Sequence, residues 1–450
     1  MRVQTELAEW IAGRARDPVS DPARRAACHA FLDWLGVTMA GAREPVVEIL
    51  VCDALVNGEA GPAGLVGRTE QLSPAFAALA NGTASHALDY DDVNMRMRGH
   101  PSVTVVPALL SIAAMQGGPG RSLLDALVVG TEVACTVGEM MGPEHYERGF
   151  HATASVGTIA AAAGCAALLE LDRAQTRHAL GLAATQAAGL QASFGTMAKP
   201  LHAGKAAMNG LLSARWAAAG LTAGESTIGG RQGFGPTQSA TFRPRPIRPD
   251  PAVPFGIERN GYKVHAACYY THSAIEAVRG LVRDNDVSTG SIDRITVRLG
   301  AAQLAVCDIV EPVTGLEVKF SVRHVVAMAL QRIDTGDIAQ YCEATARDEV
   351  LAGLRHKVRT EAADLESRTA AQVEIVLDDG SRISRTADCG VPVTDARVRE
   401  ESLTRKFATL VGPIIGDDAT AALIGEVLAL AGQADVRPFL QSLTPRSSDA

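Results

Sequence analysis

Aromatic residues make up only 4% of this 450-residue chain, so few large rings are on hand to fill a core. Ala, Leu, Val and Gly must do that work, which favours helices that approach closely at small side chains. No surplus of positive charge exists either: the net charge is −8 and the pI is near 5.8. That balance gives no long-range pull toward nucleic acid or an anionic membrane. The eight cysteines stand singly, without a CxxC pair or a Cys/His cluster of zinc spacing, which predicts reduced, mostly buried thiols in a cytoplasmic protein. The amphipathic N-terminus carries acids among its apolar residues and lacks the order of a secretory signal. No P-loop, no GxGxxG after a strand, no GxSxG and no HExxH occurs, which argues against the commonest nucleotide, serine-hydrolase and zinc-protease chemistries. The uncharged run from Val156 to Leu169 is too short and too rich in Ala and Gly for a membrane span, and reads as a buried helix.

What the chain does have is a polar crowd at Asn81–Pro101, NGTASHALDYDDVNMRMRGHP. Asp89, Asp91, Asp92, Arg96, Arg98 and His100 follow the end of an apolar helix and precede another. Burial of such a group pushes pKa values apart, which is how a site obtains an acid and a base near neutral pH. A helix C-terminus followed by a solvated, self-neutralising loop would also carry these residues.

Length predicts two or three domains. Helical periodicity covers Thr5 to about Ala80, interrupted by a glycine-punctuated loop at Gly58–Gly67. Ser73-Pro74 gives the N-cap and first position of the helix that delivers Asp89. Apolar helices follow at Val105–Met115 and Leu123–Met141, then an Ala/Gly/Ser helix after His151, then Arg173–Phe194. A Pro, Gly and Arg-rich connection spans Gly229–Pro254. Beyond Gly261, alternation at Ile295, Val297 and Leu299 and at Val373, Ile375 and Leu377, before the Asp379-Gly380 turn and Ile383, predicts strands. A helix near Val322–Gln331 and a charged helical stretch at Asp348–Glu366 lie between them. The pattern is helical again from Asp395 to Leu440. The chain is therefore mainly α, with a helical domain at 1–260 and 396–450 and a smaller α+β domain at 261–395.

Five polar insertions interrupt this apolar body: Asp89–His100, His145–His151, Lys199–Lys205, Tyr262–His272 and Lys319–His324. Singly each has a plain structural reading. His151 suits a cap, Lys199 a surface turn before Pro200, His272 a helix N-terminus and His324 the polar side of an amphipathic helix. Together they put histidines and lysines where long helices begin or end, where backbone N–H groups also favour carboxylates.

NGTASHALDYDD followed by GHPS, RGFHATASVGT, FGTMAKPLHAGKAA, YKVHAACYYTHSAIEA and KFSVRHVVAMAL resemble the successive signatures of the MmgE/PrpD family, in order over nearly the whole chain. That family includes 2-methylcitrate dehydratase, cis-aconitate decarboxylase and iminodisuccinate epimerase. The resemblance implies a homodimer whose subunit has a large all-helical domain, built from N- and C-terminal parts, and an inserted α+β lid. It implies a site between the two with no metal and no organic cofactor. Carried over by motif, Asp89, His100, His151, Lys199 and His272 are catalytic, and Arg98, His202, Lys263 and His324 contact substrate. The sequence departs from the family's frequent pattern at Val93 and Asn94, where DDTH reads DDVN, at Tyr269 in place of arginine and at His265 in place of an aromatic residue.

The shared chemistry of these enzymes places negative charge on carbon beside a carboxylate, so a protein without a metal needs fixed cations and a base. The resemblance assigns Lys199, Lys263 and Arg98 to clamp carboxylates, His100 or His151 to act as base with Asp89 orienting an imidazole, and His272 as a second acid. A dehydratase-type lyase acting on a small hydroxy-polycarboxylate is the leading expectation. An epimerase is the alternative, followed by a decarboxylase and by a silent binding protein.

Overall fold

The computed structural model describes residues 3–13, 18–248, 250–285 and 287–444. Helices dominate it, as the composition predicts. The first part contains α1 (Val3–Ala12), α2 (Asp21–Gly41), α3 (Pro45–Val56), α4 (Pro74–Ala87), α5 (Ser102–Gln116), α6 (Gly120–Glu147), α7 (Ala152–Leu168), α8 (Arg173–Gln186) and α9 (Ala198–Ala218). Starts follow local chemistry. Ser20 accepts a hydrogen bond from the Ala23 amide at the head of α2, and Asp172 forms a capping box with Gln175 at α8.

Small residues let α4, α7 and α9 cross almost backbone to backbone. A Cβ built on Gly204 of α9 would lie 2.2 Å from the Leu79 carbonyl oxygen of α4, and one on Gly210 would lie 2.5 Å from Ala161 Cβ of α7. No side chain larger than hydrogen fits there without moving a helix. The uncharged run predicted to be buried is α7, whose Val156, Ile159 and Ala160–Ala163 are wholly inaccessible. Among the described residues no helix is long and apolar enough to cross a membrane.

The second part holds a four-stranded sheet in the order β4-β3-β5-β6, with β3 Ile292–Leu299, β4 Val358–Ala362, β5 Ala370–Leu377 and β6 Arg382–Asp388. β3 runs parallel to β4 and antiparallel to β5, pairing Ile295 with Ile375 and Val297 with Val373. The helix Tyr269–Asp284 packs on β5 and β6. The helix Ala396–Ile415, capped by Asp395, then returns to α2. There Phe407 lies against Gly36, and Lys406 Nζ reaches Asp33 Oδ1 at 2.7 Å and the Tyr90 carbonyl at 2.5 Å.

Four local expectations are corrected. The glycine loop contains a two-stranded ribbon, β1 Ala60–Gly64 with β2 Gln71–Leu72, so the first part is not all helix; a strand of Ala, Gly and Pro carries no β-propensity signal. Ser73 stands at the N-cap, but its hydroxyl donates to Glu59 Oε2 at 2.7 Å instead of capping. The helix from Arg173 ends at Gln186, because Ala187 turns extended and Leu190 bridges Phe150. The charged stretch after Asp348 is helical only over Glu349–Lys357; Val358–Ala362 joins the sheet, where pairing with β3 overrides local propensity. All eight cysteines are free, and Cys28, Cys135, Cys165, Cys268 and Cys307 are buried.

Candidate active site

α4 ends at Ala87, and Asp89 immediately adopts φ +52°, a left-handed conformation unusual for a residue with a side chain. Buried lysines hold it there. Lys263 Nζ donates to the Asp89 carbonyl at 2.7 Å, and Lys319 Nζ donates to Leu88 O at 2.5 Å and Ala266 O at 2.9 Å. Ten residues on, the turn carrying Arg98 (φ +56°) and Gly99 sits on the head of α7: a Cβ at Gly99 would meet the Thr153 amide at 2.9 Å, and the His100 amide donates to Thr153 Oγ1. Both ends of the polar segment are thus set by helices.

Between them lies a cavity of about 520 Å³, mouth included, whose lining includes Asp89, Arg98, His100, His151, Lys199 and Lys263. Lys199 and Lys263 both place Nζ on Asp89 Oδ1, at 2.5 and 2.9 Å. Burial alone would raise the Asp89 carboxyl; the two ammonium groups reverse this and hold it below the ordinary range. Asp89 and Asp91 likewise raise Lys263 against the effect of its burial. Asp89 Oδ2 is buried with no donor. Such an atom invites a hydroxyl or other donor from a ligand. Arg98, half-buried, has no hydrogen bond or ion pair among the described residues, and its guanidinium remains open to an anion.

The imidazoles form the other wall. His151 Nδ1 is 3.1 Å from His202 Nδ1, and its ring stands edge-on to Phe194 at 4.9 Å. Burial, then the Lys199 charge, pushes His151 well below its ordinary pKa, so it is a neutral base. His202 is lowered for the same two reasons. His100 Nδ1 lies 2.7 Å from the Asp92 carbonyl and 2.8 Å from Asp91 Oδ2.

The expectation that Asp89 orients an imidazole is corrected, since its reachable oxygen is taken by two lysines. Asp91 is the carboxylate that meets histidines, at His86 Nδ1 (2.9 Å) and His100 Nδ1. His202 stands behind His151, outside the cavity lining. His272 is buried beside Lys263 but also lies outside the lining; its Nε2 faces the Ala267 carbonyl at 3.3 Å. His324 is not on a polar face: it is inaccessible, with Nδ1 3.1 Å from Arg355 Nη1, away from the cavity. Three residues went unassigned in the sequence, namely His86, Asp91 and Lys319. His86 lies three positions before Asp89, in the last turn of α4, and the turn after Ala87 keeps the two within reach of each other. Lys319 opens one of the five polar insertions, but its segment does not foretell that it is buried on the Leu88 and Ala266 carbonyls, where burial lowers it to about 7.

His86, Asp89 and His100 put one donor atom each within 4.8 Å of one another. A cation fits them poorly, because the Lys199 and Lys263 ammonium groups on Asp89 Oδ1 already balance that carboxylate's charge and would repel a metal ion beside it.

Comparison with known proteins follows this geometry. The MmgE/PrpD N-terminal domain model matches residues 5–246 and the MmgE/PrpD C-terminal domain model residues 265–430. A cis-aconitate decarboxylase of Aspergillus terreus is 26% identical over 473 residues, covering 98% of this chain and 96% of that protein. The Homo sapiens cis-aconitate decarboxylase is 27% identical over 79% of this chain and 76% of its own length. The Mus musculus protein of the same name is 31% identical over 52% and 49%.

Proposed function

The chain belongs to the MmgE/PrpD family, and from that premise we propose that it is a lyase acting on a small hydroxy-polycarboxylate by proton transfer at a carbon beside a carboxylate. The observation that carries this reading is the pair Lys199 and Lys263, both fixed on Asp89 Oδ1 and both lining a cavity that also holds two imidazoles.

In this reading the lysines and Arg98 take the substrate carboxylates. Their charges are held in place beforehand, so negative charge developing on the neighbouring carbon meets cations that need not reorganise. His100 takes the carbon-bound proton; the C–H bond breaks, an N–H bond forms and the electron pair spreads into the carboxylate at the lysines. Loss of hydroxide with that proton, as water, completes the elimination. The unpartnered Asp89 Oδ2 supports a hydroxylated substrate, because a hydroxyl hydrogen would satisfy it. Val93 lines the cavity with methyl groups only and adds no donor.

A second reading is decarboxylation, favoured by the activity that the relatives' names carry. The same cations would bind the carboxylates kept; the C–C bond breaks to release CO2, and the electron pair left on carbon takes a proton from an imidazolium, His100 or His151 having first been protonated from solvent.

Proton NMR in D2O with 2-methylcitrate, citrate, cis-aconitate and aminated succinates tests both. A new vinyl signal with loss of a carbon-bound proton is the expected result. Release of CO2 from cis-aconitate selects the second reading. Deuterium entering an unchanged skeleton selects an epimerase, and no exchange with any compound overturns the lyase reading for this substrate class.

A further inference from the structure

Two carboxylates adjacent in the sequence, Asp91 and Asp92, are both inaccessible and serve different ends. Asp92 is tied to the scaffold: Ser102 Oγ and Asn260 Nδ2 each donate to its Oδ2 at 2.6 Å, and the Ser102 amide donates to Oδ1. Asp91 accepts nothing from the backbone. Its Oδ1 is hydrogen-bonded to His86 Nδ1 at 2.9 Å. Its Oδ2 lies 2.8 Å from His100 Nδ1 as an ion-pair neighbour but accepts no hydrogen bond among the described residues, because that nitrogen bonds the Asp92 carbonyl. A buried carboxylate without backbone donors is costly to maintain unless its partners are fixed and well aligned.

The chain of contacts continues past His86. Its Nε2 lies 3.0 Å from Lys199 Nζ, and an ammonium can only donate. His86 therefore accepts at Nε2 and carries its proton on Nδ1, toward Asp91. Burial, with Lys199 adding to it and Asp91 opposing it, pushes His86 down to about 3, in keeping with a neutral ring. His100 is constrained in the same way: the Asp92 carbonyl, 2.7 Å from Nδ1, can only accept. Its proton also sits on Nδ1, and Nε2 is the nitrogen left for the cavity.

We propose that Asp91 and His86 are positioning residues of this site: Asp91 Oδ1 orients the His86 ring so that its Nε2 seats the Lys199 ammonium, and Asp91 Oδ2 lies beside His100 as the counter-charge for the imidazolium that forms when His100 Nε2 acts as the base. One carboxylate thereby couples the base to the carboxylate clamp. When His100 Nε2 takes a proton from carbon, the new imidazolium lies against Asp91 Oδ2, and the Nδ1 proton stays on the ring. This rests on the lyase reading for its consequences in turnover, but not for the tautomers themselves.

The test uses the full chain with 15N-labelled histidine. Long-range 1H–15N correlations of the parent should show Nδ1–H for both His86 and His100. Asp91→Asn leaves both tautomers in place, since Lys199 and the Asp92 carbonyl still require them, and removes the negative charge beside His100. kcat should fall about 10²-fold or more, with KM within about threefold. His86→Ala should act through Lys199 and raise KM for a polycarboxylate more than it lowers kcat, and His86→Gln, whose Oε1 can accept from Lys199, should recover most of that loss. Asp92→Asn serves as the structural control, lowering the melting temperature without changing either tautomer. A kcat within threefold of the parent in Asp91→Asn, or a pH profile of kcat superimposable on the parent's, would overturn the proposal. If the parent turns over no compound, the lyase reading fails, while the citrate affinities of His86→Ala and His86→Gln still decide the proposal.

Discussion

The layer of crossing helices α4, α7 and α9 and the polar layer above it are both buried, yet they are held by opposite means. In the first, Gly82, Gly204 and Gly210 let backbones touch, and Ala160–Ala163 bring no charge at all. In the second, Asp89, Asp91, Lys199, Lys263, His86 and His151 are held by charge and hydrogen bonds. The lesson is that the apolar layer sets the electrostatics of the polar one. It excludes water, so each ionised group must find a partner, and each imidazole close to a lysine is kept neutral.

The contrast breaks most sharply at the cations. Lys263→Met removes one of two ammonium groups from Asp89 and a donor from the Asp89 carbonyl. Steady-state kinetics should show kcat/KM lower by about 10³-fold, the loss expected for a preorganised charge. A variant within tenfold of the parent would remove Lys263 from the clamp.

Acid should undo the polar layer before it touches the apolar one. His86 is neutral in the folded state with a pKa of about 3, against about 6.5 unfolded. Its contribution is complete above about 6.5 and is lost as pH falls toward 3, at about 1.4 kcal/mol for each unit. His151, His272 and His324 are lowered as well and add in the same direction. Melting temperatures should therefore drop between pH 6.5 and 4.5, and the slope should be shallower in His86→Gln. Equal slopes would show that His86 does not resist protonation in the folded state.

The apolar layer answers to volume instead. Gly204→Ala puts a methyl 2.2 Å from the Leu79 carbonyl and 2.3 Å from Thr83 Oγ1, and should cost about 2 kcal/mol in urea titrations at any pH from 6 to 8. The smallest effect belongs to His324→Gln. Packed on Arg355 and outside the cavity, it should change kcat/KM by less than about threefold, and a larger loss would show that the α+β part reaches the cavity through it.

Much of this could be read along the chain. The helices with apolar stripes, the alternating strands at Ile295–Leu299 and Val373–Leu377, and the return of helix after Asp395 follow from period and capping, which are local. Five of the residues brought to one cavity, Asp89, His100, His151, Lys199 and Lys263, sit in motifs that mark their segments as polar insertions. The β1–β2 ribbon and the strand Val358–Ala362 were not legible, because each exists only through its partner strand.

The sequence by itself determined which residues could carry charge into an apolar body, and the tertiary structure alone decided what each charge meets. Asp89 met lysines instead of an imidazole, Asp91 met two imidazoles, Asp92 met a serine and an asparagine, and His324 met an arginine away from the cavity. Three carboxylates within four positions look alike along a chain. They differ because a left-handed turn at Asp89 sends neighbouring side chains into different surroundings: Asp89 and Asp92 meet partners more than 100 residues away, whereas Asp91 meets His86 and His100 close by in the chain.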